Sequence, residues 1–542
     1  MTKMTGGQAI VDSLIANGID QVFGVPGAQL DYSFSAMYDR SNEINIIHCR
    51  HEQGAAYMAY GFAHSTGKVG AFFVVPGPGL LNACAAISTG YACNTPMLCI
   101  SGQIPSNKIN GKTGQLHEIR DQIEIAEKIT KMAHRIDSPQ ETPAAMARAF
   151  NALTSGRIRP VEIEMAMDIM SMEGDVEKAI AIEQRAPKKP ETSQIAEAAA
   201  LLKNAKRPVI FAGGGTLDAS KEVRELADIL KVPVVMSVNS LGVMDARDDY
   251  AMVPVAGHYL WKDADVVLGV GSRMTPQIDG WGLDDDLKII RMDIDEEEMN
   301  LFSTPDVAIH CDAAEGLKAL NTALGECEEK WTVAEMDAVK AEAAKEVNIM
   351  VPQVAYMKVI REELPEDGYF VSDLTQIGYA SRDGFPVYHP RTYLYPSYQG
   401  TLGHSYATGL GVQVAHPDKK VVTVAGDGGF LFNVQEMATA AQFNIPMVCI
   451  VFNDSAFGNV KRIQQTSHQG RVIASDLQNP DFVALGESFG VKSSRTDNPE
   501  GLRSALKEGF AHDGPVLIEV TMDLADIPEP WHLYFRPQLR GI

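Results

Sequence analysis

The chain has no C-x-x-C pair, no surplus of basic residues and no apolar run of membrane-spanning length. Its seven cysteines, Cys49, Cys84, Cys93, Cys99, Cys311, Cys327 and Cys449, are scattered and odd in number. That spacing argues against a disulfide frame or a cysteine-bound zinc, and reads as reduced thiols in a cytoplasmic protein. The formal net charge is −23. So acidic a chain will not bind nucleic acid or an anionic membrane through bulk electrostatics, and neither partner is expected. Residues 1–9 carry no apolar signal core, and no transmembrane segment is expected. Short repeats and low-complexity tracts are absent.

What is there is ordinary globular composition, 45% hydrophobic and 22% charged over 542 residues. That length predicts two to four domains. Helical and strand patterns alternate throughout, which predicts an α/β fold with mainly parallel sheets. Three domains follow from the charged, proline-bearing stretch at 171–192 and the Ala-rich helical segment at 326–348. They are 1–185, 191–345 and 350–542. Residues 526–542 form a short aromatic tail, expected to dock on the body.

Residues 421–430 read Val-Val-Thr-Val-Ala-Gly-Asp-Gly-Gly-Phe. The β-branched run predicts a buried strand. The glycines let backbone N–H groups approach a ligand, and Asp427 supplies a hard oxygen. A helix is expected from 430 to 443, then a strand at 447–452 ending in Asn453-Asp454-Ser455-Ala456-Phe457-Gly458. One strand, one helix and a second strand bring Asp427 and Asp454 to adjacent ends of a parallel sheet. Two carboxylates beside glycine-rich backbone suit Mg²⁺ holding a diphosphate.

This arrangement resembles the signature of thiamin diphosphate (ThDP) enzymes. The resemblance implies that Asp427, Asp454 and the Ala456 carbonyl bind the metal, with Asp454 standing where the family has Asn. Gly426, Gly428, Gly429, Phe457 and Gly458 complete that part of the cofactor site. Over nearly its whole length the first domain resembles the pyrimidine-binding domain of the acetolactate synthase and benzaldehyde lyase group. The matching pieces are Phe23-Gly24-Val25-Pro26-Gly27-Ala28, Arg50-His51-Glu52-Gln53, Gly77-Pro78-Gly79-Leu80-Leu81-Asn82 and Gly156-Arg157-Ile158-Arg159-Pro160-Val161. Glu52 falls on the glutamate that activates the cofactor, and Pro26, Pro78 and Asn82 on the pyrimidine pocket. In the third domain Gly400-Thr401-Leu402-Gly403 places Leu402 as the residue that bends the cofactor. Thr375 and Gln376 align near the diphosphate.

Departures from the family pattern bear on the substrate. Leu116-His117 replaces Phe-Gln, so His117 is a candidate proton shuttle. Gln29 stands where benzaldehyde lyase has an active-site histidine and joins the catalytic candidates. Ile463 replaces a tryptophan tied to choice of the second keto acid. His404 replaces an apolar residue and either lines the pocket as a second proton donor or caps a helix. The middle domain resembles the family's flavin or nucleotide domain at Gly213-Gly214-Gly215, Gly271-Ser272-Arg273 and Asp293-Ile294-Asp295. The segments that face a flavin in that family are missing, so FAD is not expected.

The resemblance implies a ThDP- and Mg²⁺-dependent enzyme that decarboxylates a 2-keto acid such as pyruvate and passes the acyl unit to a carbonyl acceptor. A simple 2-keto acid decarboxylase and an acyloin lyase are alternatives within this chemistry. A flavin-dependent pyruvate oxidase and a non-catalytic binding member lie outside it. A homodimer as the minimal unit and a homotetramer as the full assembly are also implied.

Overall fold

A computed structural model describes residues 1–183, 185–523 and 528–541. Residues 526, 527 and 542 of the expected tail, and 184 of the expected linker, lie outside them. The described residues form three six-stranded parallel sheets, each flanked by helices, and one two-stranded antiparallel pair. Counted within each domain, the strand order is 2-1-3-4-6-5 in the first and third and 3-2-1-4-5-6 in the second. The fold is therefore α/β in all three domains, and the two outer ones share a topology. Parallel strands buried on both faces read as continuous apolar runs, which is why the sequence marks them so clearly.

The strand Val421–Gly426 lies between Tyr369–Ser372 and Val448–Asn453. In the N-terminal sheet Gly70–Val74 lies between Gln21–Gly24 and Met97–Gln103. In both domains strands 1 and 3 are neighbours, and their onward connections leave in opposite directions. That is a topological switch point, where open α/β sheets leave a crevice at the carboxyl ends of the strands.

The expected linker is partly built into the body. Its start, Glu173–Val176, pairs antiparallel with Thr2–Thr5. The tail docks as expected along its described residues. Arg540 donates to the carbonyls of Trp261 (3.0 Å), Lys262 (3.0 Å) and Ala264, and pairs with Asp284 at 2.8 Å. These carbonyls close the helix Pro254–Asp263, so the guanidinium caps a helix C-terminus and meets its dipole.

The outer domains meet through two helices, Glu52–Thr66 and His404–Ala415. The first is rich in Ala and Gly, starts on a His51 cap that accepts from the Gln53 N–H, and ends at Gly67 with φ 73°. Such small residues allow close approach. A Cβ on Gly61 would overlap the Thr408 carbonyl, and one on Gly411 the Met58 carbonyl. Ala55, Ala59 and Tyr60 share one apolar cluster with Tyr406, Ala407 and Leu410, so the first and third domains are held by a common core.

Candidate active site

The crevice of the third domain is a cavity of about 100 Å³. Its lining includes Thr375, Gln376, Leu402, Gly426, Asp427, Gly428, Gly429, Asp454, Ala456, Phe457 and Gly458. Every one of these comes from the candidate set, and the strand ends at the switch point bring most of them together. The helix expected at 430–443 starts earlier and breaks. One turn spans Asp427–Phe430, a 3₁₀ turn Val434–Glu436 and a short helix Met437–Gln442. The break places Asp427 in a first turn, under the glycine backbone. Space is tight here, because a Cβ on Gly428 would come within 2.5 Å of the Phe457 ring.

Asp427 is buried, and burial raises its pKa. Its Oδ1 accepts from the Gly428 N–H at 2.9 Å, and its Oδ2 from Asn479 Nδ2 at 2.6 Å. Asp454 is pushed up to about 7, first by burial and then by the charge of Asp427. Two carboxylates that disfavour each other's charge in a desolvated crevice fit a divalent cation. No cluster of three or more His, Cys, Asp or Glu side chains is placed to hold a metal among the described residues. A metal here would need further oxygens, and a diphosphate carries them.

The loop behind Asp454 is clipped in place. The Phe457 N–H donates to the Ser475 carbonyl and the Leu477 N–H to the Ser455 carbonyl, both at 2.8 Å. Asp373, fully buried at the end of Tyr369–Ser372, has its pKa raised by burial to about 6. Its Oδ2 accepts from the Gly403 N–H at 3.0 Å, and Asn433 Nδ2 donates to the Gly403 carbonyl at 2.6 Å. Gly403 itself is at φ 78°. Two side chains thus fix the turn that presents Leu402. Asp373, Asn433 and Asn479 are absent from the sequence-derived candidates. No motif marks them, since their roles depend on contacts 52 positions apart for Asn479 and 30 for the other two.

In the first domain Glu52 is the first residue of its helix, and its Oε2 accepts from Asn82 Nδ2 at 2.9 Å. Pro26 follows strand 1, and Pro78 opens the helix Pro78–Ala92 after strand 3. Gln29 Nε2 donates to the Leu116 carbonyl at 3.2 Å, and its Oε1 lies 3.1 Å from His117 Nδ1. Gln122, also missed, is buried beneath. It accepts from the Gly77 N–H at 2.7 Å and donates to Glu164 at 2.8 Å. The structure therefore assembles two clusters, Glu52 with Asn82 and Gln29 with His117. Neither enters the lining of the third-domain crevice. Gly400, two residues before Leu402, also stays outside that lining.

His404 is a correction. It lines neither the crevice nor the larger cavity described below. It is fully buried at the start of its helix, edge-on to Tyr57 and Tyr60 at 5.5 and 5.3 Å between ring centroids. Desolvation holds its pKa down to about 3, so the buried ring disfavours the imidazolium that a proton shuttle must form.

A cavity of about 870 Å³ lies where the three domains meet. Gly213, Gly214, Gly215, Arg273, Asp293 and Arg391 contribute to its wall. The glycine turn predicted at 213–215 is thus at a cavity. Arg273 is paired with Glu298 at 3.0 Å and Arg391 with Asp218 at 2.7 Å.

The three α/β domains, the switch-point crevice and the carboxylate pair define an enzyme that uses a diphosphate cofactor. The central and terminal sequence families agree. The N-terminal TPP binding domain of thiamine pyrophosphate enzymes matches residues 4–125, the central domain 195–320 and the C-terminal TPP binding domain 373–520. A probable acetolactate synthase large subunit of Methanocaldococcus jannaschii is 32% identical over 96% of this chain and 93% of its own length. A probable 2-ketoarginine decarboxylase of Pseudomonas aeruginosa is 32% identical over 95% and 94%. The acetolactate synthase isozyme 1 large subunit of Escherichia coli is 30% identical over 96% and 94%. The chain belongs to the ThDP-dependent enzymes of the acetolactate synthase group.

Proposed function

We propose that the protein decarboxylates a 2-keto acid with Mg²⁺ and ThDP, and transfers the acyl unit to a second carbonyl compound. The observation that carries this reading is the single crevice shared by Asp427, Asp454, Leu402 and the Gly426–Gly429 backbone. Asp427, Asp454 and the Ala456 carbonyl would hold Mg²⁺. The glycine N–H groups and Thr375 would face the diphosphate, and Leu402 would support the bend between the cofactor rings. Bound ThDP would supply the electron sink for the carbon beside the keto group.

The remaining chemistry is proton handling. Glu52, held by Asn82, would exchange a proton with a pyrimidine nitrogen. Gln29 gives its amide N–H to Leu116, so its oxygen faces His117 and keeps the proton on Nδ1. The Nε2 atom of His117 is then free to take or deliver a proton at the substrate oxygen. A complete small-molecule site is typically about 300–1,000 Å³. A crevice of about 100 Å³ that lacks Glu52 is part of a site. A second copy of this chain, contributing its Glu52 cluster, would complete it, so a homodimer is the minimal unit in this reading and a homotetramer its expected assembly.

Simple decarboxylation is the second reading, favoured by the His117–Gln29 pair and by the probable 2-ketoarginine decarboxylase among the relatives. The central domain is read as flavin-free. No helix among the described residues is long and apolar enough to cross a membrane, and a cytoplasmic location is part of the proposal. The test is product chromatography with ThDP, Mg²⁺ and pyruvate, with and without an added aldehyde. Acyloin or acetolactate supports carboligation. Aldehyde alone in both leaves decarboxylation. Stoichiometric flavin absorbance after dialysis promotes the oxidase.

A further inference from the structure

We propose that Glu436, in the third domain, is a positioning residue for Glu52 in the first. This rests on reading Glu52 as the group that serves the pyrimidine ring. Both carboxylate oxygens of Glu436 lie 3.2 Å from the Arg50 N–H, and Oε1 also accepts from the His51 N–H at 3.0 Å. Thr439 Oγ1 donates to Oε2 at 2.6 Å and fixes the carboxylate's rotation. Glu436 is fully buried. The two backbone donors belong to the two residues immediately before Glu52.

The packing around the carboxylate is specific. A Cβ on Gly54 would overlap Glu436 Oε1 and lie 2.8 Å from its Cγ. The Glu52 helix therefore has a gap in its first turn, and the Glu436 side chain fills it. Around it, Arg50 Nη2 donates to Gln442 Oε1 at 2.8 Å, and His48 stacks edge-on to Phe443 at 5.2 Å. A negative charge at a helix N-terminus is also favourable to the helix dipole. The apolar core shared by the two domains would hold them together without a buried carboxylate. Its cost in desolvation is offset only where its hydrogen bonds are made, and those bonds go to the backbone that aims Glu52.

An error of about 1 Å in a reacting group can cost about a hundredfold in rate. Glu436→Gln keeps the volume but replaces one acceptor oxygen by an NH₂ that opposes the backbone N–H groups. The experiment uses the full-length chain with added ThDP and Mg²⁺, and compares E52Q, E436Q, E436D and T439A. Three quantities are read: exchange of the thiazolium C2 proton by NMR, half-saturation by ThDP, and amide hydrogen exchange across residues 50–53 by mass spectrometry.

E436Q should slow C2 exchange about ten- to a hundredfold and speed amide exchange at 50–53. Half-saturation by ThDP should stay near the parent value, because Asp427 and Thr375 are untouched. E436D should recover part of the C2 rate, and T439A should shift it in the same direction by less. If E52Q slows C2 exchange but E436Q leaves it at the parent rate, Glu436 has no positioning role and the proposal is overturned. If E52Q itself exchanges at the parent rate, the reading of Glu52 falls instead. Where E436Q gives no folded protein, T439A decides, and a parent C2 rate there overturns the proposal.

Discussion

Asn479 donates its side-chain amide to Asp427 Oδ2 at 2.6 Å, and the same nitrogen lies 3.0 Å from Asn453 Oδ1. Asn453 in turn donates to the buried Glu519 at 2.7 Å, which Arg495 holds at 2.7 Å. The ends of the strands Val421–Gly426 and Val448–Asn453 are thus tied by one amide, and the second is anchored to the strand beyond. This fixes the spacing between the aspartate that follows each strand. A metal site needs such fixed spacing before it is useful.

Asp454 stands where the family resemblance would usually place Asn, and either side chain offers an oxygen of the same reach. Asp454→Asn should therefore be mild and Asp454→Ala severe. The measurement is the Mg²⁺ concentration that gives half activity. Equal and negligible changes would remove Asp454 from the metal site.

Stability without cofactor should depend on the same residue. Folding raises Asp454 from 3.8 to about 7. A carboxylate raised by folding contributes stability that is complete below its unfolded pKa and is lost as pH rises through the folded one. The window is thus from about pH 4 to about pH 7. The Tm of D454N should exceed that of the parent by more at about pH 8 than at about pH 5. Calorimetry in the absence of Mg²⁺ checks this, and a difference that is flat with pH would contradict it.

His117→Gln should shift products of pyruvate away from free aldehyde, since glutamine cannot deliver a proton to the substrate oxygen. Chromatography of the product mixture reads the ratio. An unchanged ratio would place the proton donor elsewhere.

Gly61→Ala should separate the helices that join the outer domains. The added methyl meets the Thr408 carbonyl, which is backbone and cannot swing aside. A loss of about 3 kcal/mol or more is expected. The denaturation midpoint in urea, with the slope held, measures it.

Arg540→Ala should release the tail from the central domain and leave three helix-end carbonyls without their donor. A loss of about 1–3 kcal/mol is expected. Urea unfolding and protease access to the tail both report it, and an unchanged midpoint with a protected tail would refute it.

The strands, the α/β class and most of the crevice were legible in the chain itself. Buried parallel strands are continuous apolar runs, and Gly-Asp-Gly-Gly follows one of them directly. The strands Val421–Gly426 and Val448–Asn453 fall on the apolar runs at 421–430 and 447–452. Local pattern failed where tertiary contact outweighs it. The segment 430–443 has helix-compatible residues, yet Asn433 and Glu436 are drawn to Gly403 and to the Arg50–His51 backbone, and the helix breaks between them. His404 has the chemistry of a proton donor, but the packing of two helices buries it between tyrosines.

The sequence by itself determined which residues meet within one strand–helix–strand unit, because chain connectivity and the parallel sheet set their separation. That was enough to place Asp427 beside Asp454. Only the tertiary structure decided what lies beneath them and between domains: Asn479 under Asp427, Asp373 under the Leu402 turn, Glu436 under Glu52. These contacts join positions far apart in the chain. The last of them also needs the two outer domains to pack at backbone distance through Gly61 and Gly411, and no local periodicity encodes that approach.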